Sequence, residues 1–327
     1  MLKRKMEEVL GMLDFLGSEE VPVRRGSRFN IRACACHGVR HEATGGVLQC
    51  VIDDGTETRQ YTRDITNNTV HNGQLKLLVS EIEFLTPYKG SNYTVIYAGA
   101  APGVHIVLLA KMFESMNFVL VDPSKSFVGR FKYPNVKVHA LLMTDQLASA
   151  LKSRYGETIL FISDVRTGPP EVGREDDKAQ QRRIHIDMVE QSKWFRRLDP
   201  VAGLFKFRLP WDLETHTKYL DGSIHFPIFG RFLTHESRLV VLRGATEKTY
   251  DNRQYEGHMA YFNQVLRGNI YEPTGRCYDC AAFRQIIMGY LGKTEVDTDV
   301  EKLCGEIESE IQTLKDRWTA IVRRDRL

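Results

Sequence analysis

The chain has 327 residues, 42% hydrophobic and 27% charged, with a formal net charge of +3. That is a globular composition, long enough for one large domain or two small ones with a substantial core. No run approaches eighteen apolar residues, which excludes a membrane-spanning helix, and so small a charge does not by itself diagnose a nucleic-acid binder.

Residues 1–68 read as an N-terminal extension. Met1 to Gly17 has the apolar spacing of a short amphipathic helix (Leu2, Met6, Val9, Leu10, Leu13). Acidic residues inside its apolar part are unlike a signal peptide, so a soluble, intracellular protein is expected. Asp54-Gly55, between the apolar run Val47–Ile52 and the alternating Thr56–Thr62, signals a hairpin. Residues 69–292 read as the main domain. Gln74–Leu85 is a helix with a buried stripe of Leu75, Leu78, Ile82 and Leu85, a pattern that leaves Lys76 on an exposed face.

Thr94–Tyr97 is a buried strand that runs through the turn Gly99-Ala100-Ala101-Pro102-Gly103 into a helix, Val104–Phe113. A second strand, Asn117–Val121, ends in Asp122, where a carboxylate can take both hydroxyls of a ribose. The turn breaks the dinucleotide fingerprint, having a proline and lacking its third-residue glycine. S-adenosylmethionine, with a ribose and an amino-acid tail but no phosphate, suits it; a tight turn holding no ligand is the alternative.

Further on, Val136–Leu142 is a third strand, Asp145–Arg154 a helix, and Thr158–Val165 a continuous apolar run of the kind buried on both faces of a parallel sheet. Asp164 at its end is either a ligand-facing carboxylate or a cap. After a turn at Thr167–Gly173, a long helix runs to Leu198. Gly203–Leu209 alternates as a strand with Leu204, Lys206 and Arg208 on one face, and it leads into Pro210-Trp211-Asp212. Gly230–Gly244 holds two strands around Thr234–Ser237, and Tyr250–Arg267 is a helix. Residues 293–327 carry a helical stripe (Val300, Leu303, Ile307, Ile311, Leu314, Trp318, Ile321) that packs either on the domain or on a partner. Alternating strands and helices from 94 to 209 give an α/β class: a Rossmann-like, doubly wound sheet with helices on both faces. The six cysteines are too sparse for a disulfide scaffold. Cys34-x-Cys36-His37 and Cys277-x-x-Cys280 are poor halves of a zinc site, so the thiols read as buried small hydrophobes and no metal is expected.

Several motifs in order carry a resemblance: Gly73-Gln74-Leu75-Lys76-Leu77-Leu78; Tyr97-x-Gly99-x-Ala101-Pro102-Gly103-x-His105; Ile162-Ser163-Asp164-Val165-Arg166; Lys206-x-Arg208-x-Pro210-aromatic; and Glu236-x-Arg238-Leu239. Over roughly residues 72–290 the chain resembles the poxvirus cap-specific mRNA (nucleoside-2′-O-)-methyltransferases, which also serve as small subunits of a poly(A) polymerase, and it shares the Lys-Asp-Lys-Glu tetrad of the FtsJ-type enzymes. The resemblance implies 2′-O-ribose methylation at or near the 5′ cap of mRNA, with S-adenosylmethionine as donor. An FtsJ-type enzyme of ribosomal or transfer RNA, and a non-catalytic RNA-binding subunit that stimulates a polymerase, are the alternatives.

It implies a tetrad of Lys76, Asp164, Lys206 and Glu236, with Lys206 as base. It places the donor among Gln74, Tyr97, Gly99, Ala101, Gly103, His105, Asp122 and Asp164. The cap falls to Arg208, Trp211, Asp212 and Glu256, an aromatic face and acids suiting a cationic methylguanine; the opposing aromatic lies upstream of the matching region, where Tyr61 is a candidate that the resemblance does not itself supply. The ribose-binding acid is followed two residues later by Ser124 where the family has arginine. Capped mRNA and other RNA-processing proteins are the implied partners. The compartment would be nuclear for a cellular protein and cytoplasmic for a viral one.

Overall fold

A computed structural model describes residues 48–61, 71–124, 133–167, 177–210, 215–231, 233–271 and 275–324, all within the compact unit Ala33–Leu327. The expected Met1–Gly17 helix, Cys34, Cys36, Trp211 and Asp212 lie outside the described residues. Helix α1, Gly73–Leu85, starts where Asn72 accepts a hydrogen bond from the Leu75 amide, and the whole predicted stripe is buried. Strands β2 (Thr94–Ala98), β3 (Asn117–Val121) and β4 (Val136–His139) pair in parallel to one side. The chain then returns to the other side of β2 with β5 (Ile159–Ser163) and β6 (Ala202–Phe207), also parallel. Strand order therefore reverses between β2 and β5, and the crevice at their carboxyl ends is where an open α/β sheet binds ligands.

Helices α2 (Ile106–Met112), α3 (Asp145–Tyr155) and α4 (Asp177–Leu198) make the crossovers. Every residue of β2 and β5 is buried, as a sheet covered on both faces requires.

Beyond β6 the sheet turns antiparallel. With β1 (Val51–Ile52), β8 (Ser223–His225) and β9 (Ser237–Leu242), its full order is β1-β8-β9-β6-β5-β2-β3-β4. Three expectations change here. The turn at Asp53–Thr56 forms, but β1 pairs with β8 and residues 56–61 are not a strand; Arg59 instead donates its amide to the Gly257 carbonyl.

Among the described residues of 230–244 only one strand, β9, forms. Phe229 (φ 56°) and Leu233 (φ 53°) sit in the left-handed region and turn the preceding segment into a loop. The predicted helix at Tyr250 begins later, as α5 (Asn252–Gln264): Tyr250 belongs to β10 (Glu247–Asp251), which pairs with β7 (His216–Leu220), and Asp251 caps the helix.

A small ladder of β11 (Ile270–Tyr271) and β12 (Arg276–Cys277) leads into α6 (Tyr278–Leu291). Helix α7 (Thr298–Arg324) lays Val300, Leu303, Ile307, Ile311 and Leu314 on α6 and α1, which settles that its stripe faces the domain. Cys277, Cys280 and Cys304 are buried, and burial pushes the Cys304 thiol up to about 12. No helix among the described residues is long and apolar enough to cross a membrane.

Candidate active site

At the end of β2 the chain must turn against the end of β5. Gly99 (φ 76°) makes that possible: a Cβ there would lie 2.9 Å from the Val165 amide nitrogen and 3.0 Å from the Asp164 carbonyl carbon. The glycine thus seats Asp164 as well as opening the turn. Gly103 (φ 64°) completes the reversal into α2. Asp122 ties the turn to β3. One carboxylate oxygen accepts the Ala101 amide at 3.1 Å and the other the Ser124 amide at 2.9 Å, and each keeps a further acceptor site.

Gln74, Tyr97 and His105 meet beneath this turn around Glu81, a residue without a role in the sequence reading. The Tyr97 hydroxyl donates to Glu81 at 2.6 Å and His105 Nε2 lies 3.1 Å from the same oxygen. Gln74 Oε1 accepts the His105 amide at 3.2 Å and lies 3.0 Å from His105 Nδ1. Burial, and after it Glu81, holds the Tyr97 phenol well above its usual range. Tyr97 and His105 are each 1% exposed, so their side chains shape the turn from behind.

The four tetrad residues arrive from four places: Lys76 from α1, Asp164 from the end of β5, Lys206 from β6, and Glu236 from the loop before β9. Lys76 pairs with Glu236, and its side chain is 14% exposed, contrary to the exposure its helix pattern indicated. Lys206 Nζ lies 3.5 Å from Asp164 and 3.7 Å from Glu236.

A fifth member, Arg238, stands opposite Lys206 in the β6/β9 register, 2.8 Å from Asp164 and 3.4 Å from Glu236. It belonged to the Glu236-x-Arg238 motif but had no assigned role. Period-two alternation, which puts 236 and 238 on one face, was the signal for it.

Burial lowers the Lys76 pKa despite Glu236. Burial would raise both acids, but Arg238 and Lys206 hold Asp164 below its usual value, and Lys206, Arg238 and Lys76 hold Glu236 well below. Three cations thus face two carboxylates. The cluster is neutral when one lysine has lost its proton.

Arg208, on the Lys206 face of the strand leaving β6, lies beside His235: burial, reinforced by Arg208, lowers that imidazole to about 4. The Tyr61 ring is 5.0 Å from the His235 ring, and burial pushes its phenol up to about 12, with Asn263 opposing and Glu256 adding to the shift. Arg208, Tyr61 and Glu256 therefore gather on one flank of the tetrad, together with His235, which the sequence reading passed over.

The residues present fit S-adenosylmethionine. A half-buried carboxylate at the end of β3, with an acceptor site left on each oxygen, and the Gln74 side-chain amide beside the turn supply what a ribose and an amino-acid tail need. Among the described residues no group of three or more His, Cys, Asp or Glu side chains could hold a metal ion.

The reversed strand order, the antiparallel β9 beside β6 and the Lys-Asp-Lys-Glu set at the switch point define a Rossmann-like domain of the methyltransferase type. A profile of the family described as "Poly A polymerase regulatory subunit" matches residues 49–296, and the chain belongs to that family.

It is 28% identical over 248 residues, 67% of this chain and 69% of the relative, to the cap-specific mRNA (nucleoside-2′-O-)-methyltransferase of Myxoma virus (strain Lausanne). It is 27% identical over 233 residues, 64% of this chain and 73% of the relative, to the protein of the same name from Fowlpox virus (strain NVSL). Bluetongue virus VP4, described as a multifunctional RNA-capping production line, superposes with a TM-score of 0.42 at 15% identity, over 62% of this chain and 33% of that one; so loose a likeness bears on nothing further.

Proposed function

We propose that this chain is an enzyme that transfers a methyl group from S-adenosylmethionine to the ribose 2′-oxygen of a nucleotide at or near the 5′ cap of mRNA. The observation that carries this reading is the convergence of Lys76, Asp164, Lys206 and Glu236 beside the Gly99–Gly103 turn. Gln74, Gly99, Ala101, Gly103 and Asp122 hold the donor, which supplies an electrophilic sulfonium methyl. Tyr97 and His105 set the shape of the turn from beneath.

Lys206 takes the 2′-hydroxyl. Its Nζ stands between Asp164, at 3.5 Å, and Glu236, at 3.7 Å, whereas Lys76 is committed to Glu236. Asp164 and Glu236 keep Lys206 aimed, and Arg238 holds both carboxylates in place. Much of the rate comes from positioning, because oxygen and methyl carbon must line up. Arg208 and Glu256, with Trp211 and Asp212 from the adjoining segment, take the methylated guanine, and Tyr61 flanks it.

The test compares methyl transfer to RNA bearing a 7-methylguanosine cap, to uncapped RNA and to structured ribosomal or transfer RNA, and maps the modified nucleotide. Equal transfer with and without the cap sinks this reading in favour of a general RNA 2′-O-methyltransferase. The family's description favours a second, compatible role as the regulatory subunit of a poly(A) polymerase. Stimulation of polyadenylation by a Lys206→Ala protein would separate that role from catalysis.

A further inference from the structure

Behind the tetrad, on the side of α1, lies a small cavity with space for about one water molecule, whose polar lining includes Glu81, Tyr97, Ser163, Asp164, Lys206 and Arg238. Three buried polar atoms of that lining make no hydrogen bond: Ser163 Oγ, Glu81 Oε2 and Arg238 Nη2. Ser163 is 1% exposed, Glu81 1% and Arg238 3%. Glu81 Oε2 does approach His105 Nε2, at 3.1 Å, and Arg238 Nη2 approaches Glu236, at 3.4 Å, but neither contact has hydrogen-bond geometry. A buried polar atom without a hydrogen-bond partner is destabilising. A buried water needs two to four polar partners and room for one molecule. The cavity offers an acceptor, a donor and a hydroxyl that can act as either.

We propose that this cavity holds an ordered water joining Glu81, Ser163 and Arg238, and that Glu81 is thereby a positioning residue for the tetrad. The water donates to Glu81 Oε2, accepts from Arg238 Nη2 and pairs with Ser163 Oγ. It fixes the guanidinium whose other edge is 2.8 Å from Asp164. On its far side Glu81 is held by Tyr97 and by His105, which in turn holds Gln74. A continuous chain of hydrogen bonds thus runs from the donor turn to the acids that aim Lys206. Glu81 touches neither donor nor RNA; it acts through Arg238.

The catalytic consequence rests on the methyl-transfer reading, whereas the water itself does not. An experimental structure of the wild-type protein at high resolution is expected to show solvent density within hydrogen-bond distance of the three atoms. Beside it, a double-mutant cycle of Glu81→Gln and Ser163→Ala is read in both kcat and the urea midpoint. The amide of Glu81→Gln places a donor where the water needs an acceptor, so it competes with Arg238 for the water's lone pairs while still serving Tyr97.

About a tenfold fall in kcat is expected, with KM for the donor unchanged, and the double variant no worse than Glu81→Gln alone, since both act through one water. Absence of solvent density, or strictly additive effects in the midpoint, overturns the proposal. If Glu81→Gln does not fold, Ser163→Ala alone decides: unchanged kcat and midpoint refute the link. Should the wild-type protein methylate no RNA, the function reading fails while the density and the midpoint cycle still test the water.

Discussion

Burial depresses the Lys76 pKa while Glu236 pulls it the other way, and the same Glu236 faces Lys206 at 3.7 Å. The two lysines therefore differ in commitment, which makes their truncations distinguishable. Lys206→Ala should lower kcat by about 10²-fold or more, the low end of what a positioned proton acceptor supplies, with binding of a cap analogue retained by calorimetry. Near-normal turnover would remove the base assignment. Gly99→Ala tests the seat of Asp164. Its Cβ would press on the Asp164–Val165 backbone at a positive φ, so a loss of about 1–3 kcal/mol in urea melts should accompany a lower kcat. The sequence marked Gly99 as a place where a ligand approaches; the nearer reason for the glycine is a neighbouring strand. Glu81 carried no sign at all, because nothing in a helix pattern tells a buried acid with two distant partners, Tyr97 and His105, from a solvated one.

At the scale of elements, the loop between β8 and β9 is the brace of the site. Phe229 donates its amide to Asp279 at 3.1 Å, and its carbonyl accepts the Asn72 amide at 3.2 Å, so the cap of α1 hangs on this loop. Arg267 binds Asp279 at 2.8 Å and the carbonyls of Gly230 and Arg231 at 2.9 Å each. Lys76 and Glu236, at the two ends of that assembly, are thus placed by a buried ion pair that touches neither. Asp279→Ala leaves the Arg267 charge buried and unpaired and should cost about 3–5 kcal/mol in denaturant midpoints. The surviving folded fraction should have a reduced kcat. A stability unchanged within error would show that the loop holds without the pair. The helices and parallel strands around this brace were legible because apolar periodicity is a local signal. The loop was mistaken for a strand because its left-handed residues are Phe and Leu, not the glycine or asparagine that normally announces such a turn.

For the whole molecule, stability should fall as the pH drops, and His235 contributes to it. Its folded pKa, lowered from 6.5 to about 4, means that the folded state prefers the neutral ring. Its contribution is complete above about 6.5 and is lost as the pH falls toward 4, because the unfolded chain binds the proton first. His71, also lowered by burial, adds in the same direction. Asp164 and Glu236, both depressed, extend the loss below the ordinary carboxylate range. Urea midpoints measured from pH 7 to pH 4 should therefore decline, and more shallowly for His235→Asn. Identical slopes in the two proteins would mean that the imidazole is solvated.

The amino-acid sequence alone determined the class of the sheet and the switch-point turn, because each is written in neighbouring residues, apolar runs and a glycine turn; the four tetrad positions came from the resemblance of whole motifs to a known family, since helix periodicity by itself put Lys76 on an exposed face. Tertiary structure alone decided that Lys76 turns inward to Glu236, that Arg238 makes a fifth charge, that Glu81 and His105 pair beneath the turn, and that α7 closes on α1 and α6. The physical reason is common to all four. A side chain's charge state and partners are set by burial and by residues many positions away, and local patterning carries no record of either.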